Sequence, residues 1–369
     1  MTQKEYNCQE CGGTIHFEGI CHQCRGRKKR EGHQSLSEPE IAEKIERIIA
    51  ALDESFSSKN EFEDFFDLLA YRNISTEKIA AAAAKAGVHY PWAIYRNATP
   101  AVRETLIARL MDPKCKEAND LLNCLAIAGG TDVLAAFLRL EKEPLPWSKK
   151  LYAPPSIYAH AGGWTFDEEG NRIELNYGVC FPVLPGDKSA DHAVLVASPR
   201  AETCPHCGSR LIDIMTLDGR DSRLAFLGLS GVLRIPLCPV CATMCERTIV
   251  RYELDGDSSM ELVECFEDSN RMPEDEYAEM TAKNFTLAKQ PESLFYAQGC
   301  NDFCGDYAMI GGFADWIQDP QYDACPDCGK HMRYFASVPW SALSDHSEGT
   351  LFLEICQDCR VISAFHQQT

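Results

Sequence analysis

The chain has 369 residues, of which 45% are hydrophobic, and a formal net charge of −19 at pH 7. This length exceeds what a single hydrophobic core usually supports, so we expect more than one domain. It contains no apolar run long enough to span a membrane and no apolar signal segment near its first residue, so we expect a cytoplasmic protein with no membrane partner.

Nineteen cysteines are the most unusual feature of the composition. In a reducing cytoplasm we do not expect them to form disulfides. Twelve of them form six C-x-x-C pairs, which is enough for three four-cysteine metal sites. The others are expected to be unpaired or weakly paired; they are Cys115, Cys124, Cys180, Cys245, Cys265, Cys300 and Cys304.

Residues 1–33 are predicted to form a zinc-ribbon module with a basic tail. Its first quartet consists of Cys8, Cys11, Cys21 and Cys24. The tail contains Arg25, Arg27, Lys28, Lys29 and Arg30. Six Lys/Arg and four Asp/Glu give residues 1–33 a charge of +2, which leaves −21 for the rest. Because residues 26–36 lack apolar periodicity, we expect a solvated linker there, with the module as a mobile arm.

Residues 34–145 carry six helical patterns joined by short links, which predicts a domain of helical hairpins, loosely HEAT-like. Ser37 and Glu40 have the spacing of a capping box. Pro100 follows Thr99 at the expected first helical position, and Gly87 suits the end of another helix.

Residues 146–369 have a different texture, rich in proline, glycine and aromatic residues. Short β-type runs bounded by turn residues predict a β-rich domain. These runs are HAVLVAS, LIDIMTL, VLRIPL, RTIVRYEL, MELVECF, TLFLEI and RVISAF. The overall prediction is a multidomain α+β protein.

Two more cysteine quartets lie in this β-rich part, and they resemble each other. CPHCGSRLIDIMTL and CPDCGKHMRYFASV share Cys-Pro-x-Cys-Gly and a strand-like run, which indicates a duplicated zinc ribbon. Four thiolates complete a tetrahedral zinc shell and leave no position for water, so three structural zinc sites with four cysteine ligands each are expected. A redox pair, reduced cysteines without metal, or an iron–sulfur cluster remain alternatives. The predicted ligands of these quartets are Cys204, Cys207, Cys238 and Cys241, then Cys325, Cys328, Cys356 and Cys359.

The segment YAMIGGFADWIQDPQYDACPDCGKHMRYFASV joins Ile-Gly-Gly, Trp-Ile-Gln and Cys-Pro-x-Cys-Gly in an unusual order. Together with LPWSKKLYAPPSIYAHAGGWTFDEEGNRIEL, it resembles the YwqG-like family, a bacterial domain of unknown function, over about 145–369. The matching residues Gly311, Gly312, Trp316 and Gln318 are interpreted as fold-defining. The resemblance implies no reaction, but its members are similar to proteins encoded beside polymorphic toxins, which implies an immunity or accessory role.

We find none of the common hydrolase, metalloprotease or nucleotide-binding motifs. For isolated candidates such as His160 or the pair Cys300 and Cys304, a structural role is favoured over a catalytic one. We therefore expect a non-catalytic protein that binds a cognate toxin, for instance an ADP-ribosyltransferase or nuclease, with the basic tail of residues 25–30 as a contact. A nucleic-acid-binding zinc ribbon and an enzyme using a cleft of the β-rich domain are the alternatives. Nucleic acid is disfavoured, because the remaining charge of −21 repels phosphate.

Overall fold

The computed structural model describes residues 6–186, 192–265, 270–300, 307–344 and 347–368. These residues form two compact units, one of Leu36–Asn176 and one that combines Met1–Ser35 with Tyr177–Thr369. Independent folding of the predicted domains 1–33, 34–145 and 146–369 stays a prediction, because compactness reports contacts rather than autonomous folding.

The N-terminal module is a small hairpin followed by a helix. Strands β1 (Tyr6–Asn7) and β2 (Thr14–Ile15) pair antiparallel, and α1 spans His22–Gln34. The linker predicted over 26–36 is therefore wrong for most of its length. Arginine, lysine and glutamate are good helix formers, and a helix needs no apolar stripe when its first turn is held by other contacts.

The unit Leu36–Asn176 confirms the six predicted helices and continues beyond them. Ser37 and Glu40 form the predicted capping box, and the Thr99 hydroxyl accepts a hydrogen bond from the next helix. The helices are α2 (Glu38–Ala51), α3 (Asn60–Arg72), α4 (Glu77–Ala86), α5 (Pro100–Leu110), α6 (Ala118–Ala128), α7 (Thr131–Lys142) and α8 (Pro155–Tyr158). Their likeness to HEAT repeats stays a prediction.

Two tryptophans after position 145 belong to this helical unit. Trp147 is buried and donates its indole N–H to the carbonyl of Asp112 at 3.0 Å. Trp164 is fully buried and bonds the carbonyl of Ala126 at 2.9 Å. Trp164 begins β3 (Trp164–Phe166), which pairs with β4 (Arg172–Glu174). The change of composition at residue 146 thus does not coincide with the edge of the compact unit.

Besides the β1–β2 hairpin, the described residues of the other unit form two larger antiparallel sheets. Within the described residues, the larger has the order β10-β9-β15-β14-β13-β12-β5-β11, and the smaller has the order β6-β7-β8. Their elements are β5 (Tyr177–Pro185), β6 (Val194–Thr203), β7 (Arg210–Asp218), β8 (Val232–Leu237), β9 (Cys245–Tyr252), β10 (Ser258–Cys265), α9 (Glu274–Ala282), β11 (Phe285–Leu287), β12 (Ala308–Gly312), β13 (Arg333–Pro339), β14 (Thr350–Cys356) and β15 (Val361–Gln367). All seven predicted β-type runs form strands.

The core of this unit follows from the alternation of side chains along the strands. Leu351, Leu353 and Ile355 of β14 join one buried cluster with Ile212 and Leu233 of the smaller sheet. On the opposite face of the large sheet, aromatic rings pack in contact with one another. These rings belong to Trp316, Tyr322, Tyr334, Phe352 and Phe365. The α+β class predicted from the sequence is confirmed.

The glycine pair of the Ile-Gly-Gly motif has a clear structural reason. Gly311 and Gly312 have φ angles of +73° and +74°, and the register with β5 shifts between them. A Cβ atom on Gly311 would lie 2.0 Å from the carbonyl oxygen of Val179. Only glycine combines this backbone conformation with so close an approach of the neighbouring strand.

Gly311→Ala should therefore lower the free energy of unfolding by more than about 2 kcal/mol, through backbone strain and the clash with β5. Chemical denaturation at constant zinc and reductant measures the change. Gly178→Ala on β5 is the matched control, since a Cβ atom there meets nothing within 4 Å. Equal stability of the two variants would contradict this explanation of the motif.

Candidate metal centres

The structure brings the twelve cysteines of the C-x-x-C pairs into the three predicted groups, and each group could hold a metal ion. Within each, the four sulfur atoms lie within 4.8 Å of one another. The groups are Cys8, Cys11, Cys21 and Cys24 (group 1), Cys204, Cys207, Cys238 and Cys241 (group 2), and Cys325, Cys328, Cys356 and Cys359 (group 3).

The first pair of every group sits in the same turn. The N–H groups of Gly12, Gly208 and Gly329 donate to the carbonyl of the first cysteine at 2.9, 3.0 and 2.9 Å. These glycines have φ angles of +74°, +74° and +71°, which other residues rarely adopt. Each of these glycines directly follows the second cysteine of its pair in the sequence. The repetition of the turn supports a duplicated ribbon in groups 2 and 3.

Antiparallel strand pairing supplies the second pair in groups 2 and 3. Cys204 and Cys207 precede β7, while Cys238 and Cys241 follow β8, and the register Ile212↔Leu237 places those ends side by side. In group 3, Arg333↔Ile355 does the same for β13 and β14. The gap of about 30 residues between the two cysteine pairs of each group is therefore occupied by one β-hairpin.

Group 1 uses a helix instead of a second hairpin. Cys21 is the N-cap of α1, and its sulfur accepts the N–H of Cys24 at 3.4 Å. The Cys21 N–H donates to the Cys8 sulfur at 3.2 Å. Hydrogen bonds from the backbone of Cys11 and Cys21 lower the pKa of Cys8 to about 6. The start of a helix also favours negative charge, whereas burial raises the pKa of Cys21 and brings that of Cys24 to about 12.

The geometry of the groups fits zinc. Sulfur–sulfur distances are 3.8 Å for Cys11–Cys21, 3.7 and 3.4 Å in group 2, and 3.8 Å for Cys328–Cys356. Four sulfurs at Zn–S distances of about 2.3 Å around a tetrahedral ion would be about 3.8 Å apart. Disulfide-bonded sulfurs would be about 2.05 Å apart, so these are thiol groups disposed for an ion.

Group 2 is the most deeply buried of the three. Cys238 and Cys241 have no exposed surface. Burial raises the pKa of Cys207, but hydrogen bonds with the Ser209 hydroxyl and backbone and with the neighbouring thiols outweigh it and bring the pKa to about 7. Burial raises the pKa of Cys241 to about 12. A bound cation would have to deprotonate such thiols, so metal binding and folding are coupled here.

Two cysteines contradict the expectation of unpaired thiols. Cys245 on β9 and Cys265 on β10 are register partners with Cα atoms 4.0 Å apart, and they form a disulfide. Their separation of 20 residues hid the pair in the sequence; Cys265 lies in the predicted run MELVECF, whereas Cys245 lies two residues before the predicted run RTIVRYEL. The predicted pair of Cys300 and Cys304 is not tested, because Cys304 and the side chain of Cys300 lie outside the described residues.

A buried polar network adjoins group 3, and no pattern in the sequence indicated it. Glu354, two residues before Cys356, has no exposed surface, and its Oε2 accepts the N–H of Asp323 at 2.8 Å. Asp323 accepts the Ser363 hydroxyl at 2.5 Å and lies 3.3 Å from Arg247. Burial, and next the charge of Asp323, raise the pKa of Glu354 well above its usual range, against smaller opposing effects of the Asp323 N–H and Arg247.

The predicted contact residues of the basic tail lie on α1, close to group 1. Arg25, Arg27 and Lys28 are exposed, while Lys29 and Arg30 are half-buried. Arg27 donates to the Cys24 sulfur at 3.6 Å, and Lys28 pairs with Glu10 at 2.5 Å. Such contacts partly offset the charge of the four sulfurs.

Arg30 faces the β-rich part of the same unit. Its guanidinium donates to the Tyr296 hydroxyl at 3.1 Å and lies 5.8 Å from the ring centre of Tyr307. Burial raises the pKa of Glu292, and the charge of Arg30 opposes that rise. The basic helix is thus docked on the β-rich part, which contradicts the expected mobile arm.

Comparison with known proteins gives one distant relative. The chain is 26% identical over 285 residues to the uncharacterized protein YpfL of Salmonella typhimurium, a bacterial protein. The alignment covers 74% of this chain and 64% of the relative, so the chain spans less than two thirds of that protein's length. No family model and no solved structure matches the chain.

Within the described ranges, none of the helices has the length and apolar character needed to cross a bilayer.

Cys238→Ser should remove one equivalent of metal and lower the free energy of unfolding by more than about 4 kcal/mol, because three thiolates and a buried hydroxyl cannot complete the shell. Metal analysis by mass spectrometry and chemical denaturation check both effects. Cys115→Ser is the control, since Cys115 lies outside the three groups. Unchanged metal content in Cys238→Ser would contradict the assignment of group 2.

The free energy of unfolding of Glu354→Gln, relative to that of the wild type, should increase as pH rises. The unfolded carboxyl group titrates near about 4.3, whereas the folded one keeps its proton to higher pH. The contribution of Glu354 to stability is therefore fully present below the unfolded pKa and is lost as pH rises through the folded pKa. Glutamine has no such loss, so the stability difference should shift towards the variant by about 1 kcal/mol or more between about pH 5 and pH 8.

Denaturation curves of both proteins at the two pH values measure this shift. Glu276→Gln, on the exposed surface of α9, is the control for removal of one carboxylate. A difference between Glu354→Gln and the wild type that does not vary with pH would show that the buried carboxyl group titrates normally.

Proposed function

We propose that the chain is a non-catalytic, protein-binding protein of the bacterial cytoplasm, built on three structural zinc sites. We further propose that it is an immunity protein, which neutralises a cognate toxin or effector domain by direct binding. The proposal rests mainly on helix α1, which holds basic side chains in fixed positions on a chain whose residues 34–369 sum to −21. A local charge of opposite sign in a defined conformation is typical of a recognition surface.

The role assigned to zinc is structural. The cysteines of each group would supply all four ligands of a tetrahedral ion, so no position remains for water or substrate. When bound, the metal would cross-link two turns and would not act as a Lewis acid. This argument favours a binding protein over the alternative of an enzyme that uses the metal groups.

The chemistry of α1 suits an acidic protein surface. Arg25 is exposed near the start of the helix, and Arg27 and Lys28 of the same helix are also exposed. The active sites of ADP-ribosyltransferases and nucleases contain carboxylates, which such side chains could pair with. The resemblance of about 145–369 to YwqG-like proteins, which are similar to proteins encoded beside toxins, supports the same role.

Arg25→Glu should weaken binding of that partner by about tenfold or more, because reversal places like charges across the interface. Arg25 is a sharper choice than its neighbours, since Arg27 and Lys28 also contact other residues of the module and Arg30 contacts Tyr296. The partner to be used is the product of the gene adjacent to that of this chain. Titration calorimetry measures its affinity, and growth of cells that express it measures neutralisation.

Lys85→Glu is the matched control, because Lys85 is exposed on α4 and the change in net charge is the same. We expect it to bind as the wild type does. No measurable binding of the adjacent gene product by the wild-type chain, together with no protection of the cells, would overturn the immunity role.

Nucleic-acid binding is a second candidate, favoured by the position of five basic residues on a helix beside a four-cysteine group. The strong negative charge of the other residues opposes it. Fluorescence anisotropy with labelled duplex DNA and single-stranded RNA at about 150 mM salt separates the two functions. Tight binding that is lost in Arg25→Glu but kept in Lys85→Glu would favour nucleic acid over a protein partner.

A further inference from the structure

Group 2 has further metal-ligating side chains beside it. The sulfur of Cys265, the sulfur of Cys241 and a ring nitrogen of His206 all lie within 4.8 Å of one another. Cys241 is also one of the four cysteines of group 2. His206 is exposed, because it stands in the turn between Cys204 and Cys207.

The disulfide decides whether these three side chains can act as ligands. Cys265 is bonded to Cys245, its partner across the β9–β10 hairpin. A disulfide sulfur has no negative charge, whereas a thiolate is both a nucleophile and a metal ligand. Oxidised Cys265 therefore contributes little to a cation site, and reduced Cys265 contributes a strong ligand.

We propose that His206, Cys241 and Cys265 form a second metal site next to group 2, which a thiophilic divalent cation such as Zn²⁺ occupies only when the Cys245–Cys265 disulfide is reduced. Neither the pattern of C-x-x-C pairs nor the proposed function requires this site. The ion of group 2 itself is taken as given, and Cys238→Ser tests that part separately.

The ligand chemistry suits such a cation. Thiolate and imidazole are the ligands that zinc prefers. The Cys241 sulfur keeps lone pairs after binding one ion, so it can bridge to another. The exposed position of His206 gives the cation a route from solvent.

Electrostatics also favours the second ion. Four thiolates and one divalent cation carry a formal charge of −2 in a group whose cysteines are mostly buried. A further divalent cation bound by one additional thiolate and a neutral imidazole changes that charge to −1. Burial of charge costs free energy. The second ion reduces the buried charge that remains after the first ion has bound, and so it reduces this cost.

Reduction of the disulfide has a simple balance. A thiolate of a small dithiol attacks one sulfur of the Cys245–Cys265 bond, forms a mixed disulfide and releases the other cysteine as a thiolate. The second thiol of the reductant then releases the remaining cysteine. One protein S–S bond is replaced by one reductant S–S bond, and two electrons and two protons pass to the protein. The incoming cation displaces the proton from Cys265.

Metal counting on the full-length chain tests the proposal. The oxidised chain, with the disulfide verified by mass, and the chain reduced with a phosphine and desalted without oxygen are both titrated with Co²⁺. The reduced chain should bind one further equivalent, with additional sulfur-to-cobalt charge-transfer absorption. Added Zn²⁺ should displace this additional Co²⁺ ion.

Variants locate the extra ion. Cys245→Ser leaves Cys265 unable to form the disulfide, so it should bind the further equivalent without reductant. Cys265→Ser should bind the same amount as the oxidised wild type even after reduction. His206→Ala should lower the affinity for the additional Co²⁺ ion by about tenfold or more, while the other ions stay bound. His331→Ala, an exposed histidine near group 3, should have no effect.

Circular dichroism checks that each variant is folded, and the wild-type comparison does not depend on any variant. Equal metal content of the reduced and oxidised wild-type chains would overturn the proposal. A further equivalent that persists in reduced Cys265→Ser would also overturn it, since the ion would then lie elsewhere.

Discussion

Convergence of two C-x-x-C turns on one point is the constraint on which the rest of the metal-bearing unit depends. In groups 2 and 3 the constraint is met by the register of one hairpin each, Ile212↔Leu237 and Arg333↔Ile355. A slip by one residue would turn every side chain of the strand to the other face and separate the two turns. The buried clusters and the metal groups therefore specify the same register, which is a source of cooperativity in folding.

The thiolates of each metal group carry negative charge, and different neighbouring groups stabilise that charge in the three groups. Group 1 uses the start of α1, the guanidinium of Arg27 and the ion pair of Lys28 with Glu10. Group 2 uses backbone and Ser209 hydrogen bonds in a buried setting. Group 3 uses a backbone hydrogen bond at Lys330, which lowers the pKa of Cys328, and it adjoins the pair of Arg247 with Asp323.

The sequence predicted the features that are local in the chain. The capping box of Ser37 and Glu40, the C-x-x-C-Gly turns and the seven β-type runs each depend on a few consecutive residues, and all are present. It failed for α1, whose position is fixed by Cys21 at its start and by Arg30 against Tyr296, which is 266 residues away. The pairing of Cys245 with Cys265 likewise depends on a strand register that no spacing rule reveals.

Group 2 occupies a position in the chain that makes it more than a local cross-link. Strand β8 belongs to the small sheet and β9 to the large one, and the pair Cys238 and Cys241 lies in the short connection between them. An ion at this point ties the crossover to the turn before β7, so its loss would loosen the junction of the two sheets. The Cys245–Cys265 disulfide begins four residues after Cys241, at the same junction. The disulfide and the cysteines of group 2 thus lie at one connection between the two sheets.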